Sequence, residues 1–407
     1  MIIDENYNLI KVESNDIDSL GKCVIPFGVK TIEKSAFADC EKIKDVVVPN
    51  TVKTIKACAF MNCKGLKNII MPNSLKSIGD SAFFGCTSLS AVHVPDSVVT
   101  VGTSAFYACK FLKEVHLSQS LTKIAHNLFQ GCDTLTKINI PPAVTSIGGN
   151  AFTGCTQLTQ IEMPDSITDI GDNAFYGCLM LENIKLPTQL KTIGTSVFHG
   201  CISLNQLDIP NTVEVVPALL CYDCASLSNI KFSQNTKIIA HNAFHKCTSL
   251  TNVYIPDSVT YLGGGAFSSC FGLTSIHLSD NIKKLNDVTF KECYNLIDIN
   301  LPQNLEEIKN FAFSGCRKIK TIDVPSKVVA IGEAAFLNCS ALKSVNVPNS
   351  TKVFVNAFSG SGIGSCEHIH RYSPDKGPGD DLFNAAINSK ISDTNNPEIN
   401  SVDLEER

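Results

Sequence analysis

A single cysteine position recurs through most of the chain at a fixed interval of 23 residues. Fourteen consecutive copies keep this interval, from Cys40 to Cys339, without an insertion or a deletion. Self-similarity at a fixed period of this length is the signature of a solenoid, in which each repeat buries its apolar face against its neighbours. The spacing therefore predicts a repeat solenoid rather than the several compact domains that 407 residues would otherwise suggest.

Each repeat carries the same apolar pattern after its cysteine. With the cysteine as position zero, position +3 is Leu or Ile, and positions +6 and +8 are apolar, as in Leu66, Ile69 and Met71. This alternation is typical of a short strand with one buried side. Proline follows at +9 in most copies and ends the strand, because it has no backbone N–H to donate. We therefore predict a parallel β-sheet along one face of the solenoid.

A second apolar ladder precedes the cysteine. Phenylalanine recurs three residues before it in nearly every copy, with an interruption at Cys221. The surrounding segment, D-x-A-F-x-G-C, is too short for a stable helix, so we predict short helical or 3₁₀ turns on this side. Glycine at +16, as at Gly148, is expected to permit the tight corner that turns the chain toward this side.

The recurring cysteines are interpreted as a buried ladder of reduced thiols, since free cysteine packs as a small apolar residue. Neighbouring coils could bring their sulfurs within bonding range, so pairing stays an open alternative. Single cysteines 23 residues apart lack the short ligand spacing of a zinc site. We predict no metal and no cofactor, because the remaining ligand groups form only weak candidates: His93 with His116, and Cys366 with His368 and His370.

The fuller wording of the repeat, I-G-x-x-A-F-x-G-C-x-x-L-x-x-V-x-I-P-x-S-V, resembles the BspA-type leucine-rich repeat family over about residues 22–360. The 23-residue period also lies within the range of leucine-rich repeats. Ordinary members of that class bury an Asn or Cys after the last strand leucine, whereas Thr51, Ser74 and Ala143 show that this position is mixed here. The resemblance implies adhesion to host or matrix, because members of the family are often microbial surface proteins.

The extent of the repeat divides the chain into three regions. We assign residues 1–25 to an N-terminal cap, 26–362 to a leucine-rich-repeat solenoid of about 14 repeats, and 363–407 to a polar acidic tail that we expect to be disordered. Residues 365–407 contain nine Asp or Glu against four Lys or Arg, which equals the whole net charge of −5. Residues 380–391, DDLFNAAINSKI, are either a short helix capping the last coil, a motif for a partner, or part of the disorder.

Strand residues at +5 and +7 point away from the core, so repetition sorts them into two surface columns. The middle of these columns holds a run of amides beside a run of alternating charge that ends in a tyrosine. The candidate partner-binding residues are Gln160, Glu162, Asn183, Lys185, Gln206, Asp208, Asn229, Lys231, Asn252 and Tyr254. Two interpretations stay open. The side chains satisfy one another along the stack, or they form a polar binding surface with Tyr254 as its anchor.

The sequence contains no motif that predicts catalysis. G-x-S-x-G, P-loop and H-E-x-x-H patterns are missing, and an extended open surface suits binding better than chemistry. Charged residues make up only 18% of the chain, which argues against a nucleic-acid partner. No apolar run reaches the ~20 residues of a membrane helix. We predict a monomeric, non-enzymatic solenoid that binds a protein or glycan partner through its sheet face.

The alternative from another class is an intracellular scaffold whose acidic tail recruits a partner. The N-terminal stretch MIIDENYNLI has neither the basic nor the apolar region of a secretory signal, which favours a cytoplasmic location. The family resemblance instead implies a protein that is secreted or on the cell surface.

Overall fold

Two ladders of short parallel strands run along the molecule. The structure, a computed structural model, describes residues 1–363 and 369–372 and is a parallel β-solenoid of about 16 turns with a period of about 23 residues. The predicted solenoid is therefore confirmed. Among the described residues the single helix is a 3₁₀ segment, Ser14–Asp16.

The first ladder, here called the sheet face, carries positions +5 to +7 of each repeat. Its strands are β3 (Lys22–Val24), β5 (Asp45–Val47), β7 (Asn68–Ile70), β9 (Ala91–His93), β11 (Glu114–His116), β13 (Lys137–Asn139), β15 (Gln160–Glu162), β18 (Gln206–Asp208), β20 (Asn229–Lys231), β22 (Asn252–Tyr254), β24 (Ser275–His277), β26 (Asp298–Ile299), β28 (Thr321–Asp323), β30 (Ser344–Pro348) and β32 (Ile369–Tyr372). The central residue of nearly every strand is buried and its two neighbours face outward, as the apolar alternation predicts.

Strand pairing on the sheet face is interrupted along its length. It forms separate groups of two or three strands, such as β13 with β15, β18 with β20, and β22 with β24 and β26. The strand expected at residues 183–185 does not form, so that expectation is wrong there, although Ile184 still packs inward with 9% exposure. The apolar pattern fixes which side chains are buried, whereas backbone pairing also needs both neighbouring coils in register.

The second ladder, here called the corner ladder, carries positions +14 and +15. Its strands are β2 (Asn8–Lys11), β4 (Thr31–Ile32), β6 (Thr54–Ile55), β8 (Ser77–Ile78), β10 (Thr100–Val101), β12 (Lys123–Ile124), β14 (Ser146–Ile147), β16 (Asp169–Ile170), β17 (Thr192–Ile193), β19 (Val215–Val216), β21 (Ile238–Ile239), β23 (Tyr261–Leu262), β25 (Lys284–Leu285), β27 (Glu307–Ile308), β29 (Ala330–Ile331) and β31 (Lys352–Val353). This ladder is not predicted from the sequence, because strands of two residues are too short to show an alternation of apolar and polar residues.

The phenylalanine side consists of isolated turns rather than helix. The N–H groups of Phe84 and Cys86 donate to carbonyls three residues earlier, which is the 3₁₀ pattern. Left-handed residues at Ser81 (φ 52°) and Gly85 (φ 70°) interrupt this pattern before it can propagate. The Phe83 N–H instead donates to the carbonyl of Ala105 in the next coil at 2.8 Å, so the backbone is also bonded between coils on this side.

Phenylalanine rings and thiols fill the core between these surfaces. The rings of Phe152 and Phe175 stack at 5.4 Å and 2°, and similar contacts join most neighbouring members of the ladder. The cysteines of the described residues are free, as predicted, and those of the ladder are buried from Cys63 to Cys339, whereas Cys40 is half-buried. Core packing is therefore continuous from coil to coil.

Glycine is required at the corner for a different reason from the one expected. The backbone of Gly148 does not adopt a positive φ. A Cβ atom at this position would lie 2.6 Å from the amide nitrogen of His126 and 2.8 Å from the carbonyl carbon of Ala125. Glycine is required here because the backbone of the preceding coil approaches so closely, and the prediction of a conformational role is wrong for this residue.

The sequence at both ends of the solenoid departs from the repeat pattern. At the N-terminus, β1 (Ile2–Ile3) pairs antiparallel with β2, and β2 and β3 pair with β4 and β5 at the regular 23-residue offset. The Asp18 carboxylate accepts the Lys22 N–H at 2.9 Å, which occupies part of the outer edge of β3. At the C-terminus, β32 pairs with β30 and lies within the predicted tail. The segment 380–391 lies outside the described residues, as do Cys366 and His368.

Candidate functional site

The ten residues predicted from the two surface columns share one environment. All ten side chains are exposed on the sheet face. Eight of them belong to strands β15, β18, β20 and β22, and the two others, Asn183 and Lys185, lie in the segment that forms no strand. The register brings Gln206 beside Asn229 and Asp208 beside Lys231. The repeat thus presents these side chains side by side on one surface, here called the central block.

Side chains of the central block do not satisfy one another. No hydrogen bond joins the amides of Gln160, Asn183, Gln206, Asn229 and Asn252 to each other, in the part of the chain that the structure describes. The alternating charges likewise form no ion pair within 4.0 Å among the described residues. Bonding along the stack is thus not seen from Gln160 to Asn229 in the described residues, whereas Asn252 is bonded to Ser275 of the next coil.

The two ends of the same face behave differently. Near the N-terminus the amide of Asn68 donates to the Asp45 carboxylate at 2.8 Å, and near the C-terminus Asn346 donates to Asp323. Both pairs join neighbouring strands that are bridged in register. In the central block an unbridged segment separates β15 from β18, and Gln206 faces another amide, Asn229, rather than a carboxylate.

An aromatic pair borders the central block on its C-terminal side. The rings of Tyr254 and His277 stack at 4.7 Å and 4°, and Tyr254 is 55% exposed. The Asn252 Oδ1 atom accepts a hydrogen bond of 2.6 Å from the Ser275 hydroxyl, which orients the amide beside this pair. Tyr254 is thus held from one side in a defined position, as an anchor residue requires.

A shallow depression surrounds the aromatic pair. Its volume is about 420 Å³, and its polar lining comes from Asn229, Asn252, Tyr254, Ser275, His277, Asp298 and Asn300. The last four of these were not among the predicted residues. They continue the same two columns beyond Tyr254. Following the columns for two more strands in the sequence would have identified them. The depression therefore extends beyond the C-terminal end of the central block.

The other chemical candidates form no reaction centre. His93 and His116 lie 5.7 Å apart between ring centroids, and the Glu114 carboxylate is 2.9 Å from His116 Nε2. No cluster of three or more metal-ligating side chains occurs in the chain as far as it is described. Burial raises the pKa of the Cys109 and Cys270 thiols to about 12, so these thiols are protonated at neutral pH and poor nucleophiles.

The described residues also contain no helix with the length and apolar character that crossing a membrane requires.

The repeated coil, its two strand ladders and its open polar face define a leucine-rich-repeat solenoid. A family model described as the BspA type leucine-rich repeat region (six copies) matches residues 30–156, 122–251 and 237–364. The chain therefore belongs to the BspA-type leucine-rich repeat family, and the resemblance noted from its repeats is confirmed.

Solved structures support the same assignment. A leucine-rich repeat protein from Bacteroides ovatus is 28% identical, covers 84% of this chain and 93% of its own, and superposes with a TM-score of 0.63. A leucine-rich cell surface protein from Faecalibacterium prausnitzii is also 28% identical, covering 86% and 95%, with a TM-score of 0.50. The pneumococcal vaccine antigen PcpA shares the fold at 20% identity, covering 86% and 92%, with a TM-score of 0.53. A search of curated proteins gave no match.

Proposed function

We propose that the protein is a non-enzymatic binding solenoid that recognises a protein or glycan partner through the central block and the adjoining depression. The observation that supports this proposal is that the column side chains from Gln160 to Lys231 do not bond to one another in the described residues, in contrast to the paired ends of the same face. Exposed amides and charges that do not bond to each other are free to bond to a partner.

The geometry of the block lowers the cost of association. Its side chains project from buried strands whose central residues, such as Leu207 and Val253, are fixed in the core. Less freedom is lost on binding when a surface is already held in place. Tyr254 adds apolar area and a hydroxyl at the rim of the depression, and tyrosine is enriched among residues that dominate binding energy. We therefore place the strongest contact at Tyr254 and His277.

A role in adhesion at the cell surface is the specific form of this proposal. It is supported by family membership and by the likeness to the Faecalibacterium protein, which is described as a cell surface protein. The alternative of an intracellular scaffold depends on the acidic tail, and that tail lies outside the described residues except for β32.

The test is a binding experiment with the full-length protein. The wild type is applied to an array of glycans and purified extracellular-matrix proteins, and the strongest binder is then titrated. The double variant Tyr254→Ala with Lys231→Glu is expected to weaken this binding at least about tenfold, the loss of one hot spot. Circular dichroism should show an unchanged fold, because both side chains are exposed.

A matched control changes the same residue types elsewhere. Tyr261→Ala with Lys123→Glu alters one exposed tyrosine and one exposed lysine on the corner ladder. This control should bind as the wild type does. Weakened binding by the control, with normal binding by the Tyr254 variant, would place the site outside the central block.

A further inference from the structure

A row of three lysines lies beside the corner ladder near the N-terminus. Lys30, Lys53 and Lys76 occupy the same repeat position in consecutive coils. The Lys53 N–H donates to the Lys30 carbonyl at 2.8 Å, and the Lys76 N–H donates to the Lys53 carbonyl at 2.7 Å. Their backbones are thus bonded directly to one another, and all three side chains are exposed. We call this set the lysine row.

The lysine row has no acidic partner, although lysines at the same repeat position elsewhere do. Lys237 pairs with Glu214 of the preceding coil at 2.9 Å, and Lys283 pairs with Glu306 of the following coil at 3.1 Å. Over the described residues, no carboxylate oxygen lies within 4.0 Å of a row ammonium group. Like charges at the ~4.8 Å spacing of neighbouring strands destabilise a sheet. The row therefore carries an uncompensated positive charge.

Hydroxyl and amide groups line both sides of the lysine row. Thr31, Thr54 and Ser77 follow the three lysines in sequence and form a hydroxyl column, in which the Ser77 hydroxyl donates to Thr54 Oγ1 at 3.4 Å. On the other side a depression of about 570 Å³ is lined by Tyr7, Gly28, Asn50 and Thr51 together with Lys30 and Lys53. The surface thus combines a line of cations with neutral groups that both donate and accept hydrogen bonds.

We propose that the lysine row is a binding site for a sulfated linear polysaccharide. Repeated sulfates would neutralise the row, and the flanking hydroxyl and amide groups would bond the sugar hydroxyls between them. Single-stranded nucleic acid fits less well, because it is held by stacking of its bases on several aromatic side chains. Among the residues that line the depression, Tyr7 is the one aromatic, and the Lys30 ammonium group already lies 5.3 Å from the centre of its ring.

This site is separate from the central block. The lysine row belongs to the first coils and flanks the corner ladder, whereas the central block lies on the sheet face over residues 160–254. Failure of one proposal therefore does not decide the other.

The experiment measures binding of a heparin-derived dodecasaccharide to the full-length protein by titration calorimetry at about 0.1 M salt. The variant Lys30→Gln, Lys53→Gln, Lys76→Gln should lose about a hundredfold in affinity, since each lysine near an anionic surface contributes about fivefold. The control variant Lys123→Gln, Lys191→Gln, Lys343→Gln removes the same charge from scattered exposed positions and should bind within about twofold of the wild type. The Tyr254 variant should also bind normally.

A single charge reversal separates binding from folding. Lys53→Glu would place a carboxylate between two lysines, the arrangement found at Glu214 with Lys237. It should abolish dodecasaccharide binding while leaving the melting temperature unchanged or higher. The proposal is overturned if the wild type does not bind the dodecasaccharide, if the scattered control loses as much affinity as the row variant, or if Lys53→Glu still binds. Equal affinity for the desulfated dodecasaccharide, or for a single-stranded DNA of matched charge, would also overturn it.

Discussion

The Cys155 thiol donates to the carbonyl oxygen of Phe129 in the preceding coil, over 3.2 Å. The same bond, spanning 26 residues, recurs from Cys63 to Cys339 and links the thiol ladder to the phenylalanine ladder, except that Cys247 donates to the carbonyl of Cys221. The same carbonyl also accepts the Cys132 N–H at 3.1 Å, so the thiol is its second donor. A disulfide between neighbouring coils would remove one such donor at each sulfur. The reduced thiol is thus part of the hydrogen bonding of the core as well as of its packing.

Thiol reactivity in the native protein should follow burial. Cys40 and Cys58 are half-buried and are expected to react with a thiol reagent first, while the buried ladder members stay protected at neutral pH. After denaturation without reductant, close to all 18 cysteines should titrate. Recovering far fewer thiols from the denatured, unreduced protein would mean that some of them are paired.

Stability should fall steeply at alkaline pH. Burial raises the pKa of Cys109 and Cys270 from 9.0 to about 12, and raises the pKa of Cys178 and Cys316 as well. Below pH 9 both the folded and the unfolded chain keep these protons, so stability does not depend on them. Between pH 9 and about 12 the unfolded chain releases protons that the folded chain retains, and each such thiol costs up to about 1.4 kcal/mol per pH unit.

Urea unfolding at pH 7, 8, 9.5 and 10.5 under anaerobic conditions measures this dependence. The free energy of unfolding should be similar at pH 7 and 8 and then drop at each higher pH. The variant Cys109→Ala is the control, because its loss between pH 8 and 10.5 should be smaller than that of the wild type. A flat profile up to pH 10.5 would show that ionised thiols are accommodated in the fold.

Much of the fold could be predicted from the period and the apolar positions alone. Burial of Leu66, Ile69 and Phe83 follows from one rule, that repeated positions stack. The corner ladder could not be predicted, because a two-residue strand such as Thr31–Ile32 is too short to show an alternation of apolar and polar residues. The sequence also could not show that Asn183 forms no hydrogen bond with the neighbouring amides, because such a bond depends on local register rather than on residue type.

Close approach of coils explains glycine at one position and backbone conformation explains it at another. Gly148→Ala should destabilise the protein strongly, since its new methyl group would meet the His126 backbone at 2.6 Å. Gly177 adopts φ +68°, and a Cβ atom added there would have nothing within 4 Å, so Gly177→Ala should cost only the ~1–2 kcal/mol of a left-handed residue. Urea denaturation of the two variants gives both values. A loss at Gly177 equal to or above that at Gly148 would contradict the assignment.

The gap in the phenylalanine ladder has a compensating residue. Cys221 occupies the phenylalanine position of its coil and is fully buried. Phe232, eleven residues later, is the one aromatic residue found at position +8 and packs edge-on against Phe244 at 5.6 Å. A large side chain at one core position thus accompanies a small one at another, which keeps the total volume of the core close to that of its neighbours.

Restoring the regular ladder tests this compensation. Cys221→Phe alone should cost about 1–3 kcal/mol by overpacking, and Phe232→Ile alone should cost a similar amount by leaving a cavity. The double variant should recover most of the loss, with a coupling energy of at least about 1 kcal/mol, because each change relieves the other. For comparison, Phe152→Ala removes a ring that stacks on both neighbours and should cost about 3–5 kcal/mol, well above Cys221→Ala. Strictly additive losses for Cys221→Phe and Phe232→Ile would show that Cys221 and Phe232 occupy independent parts of the core.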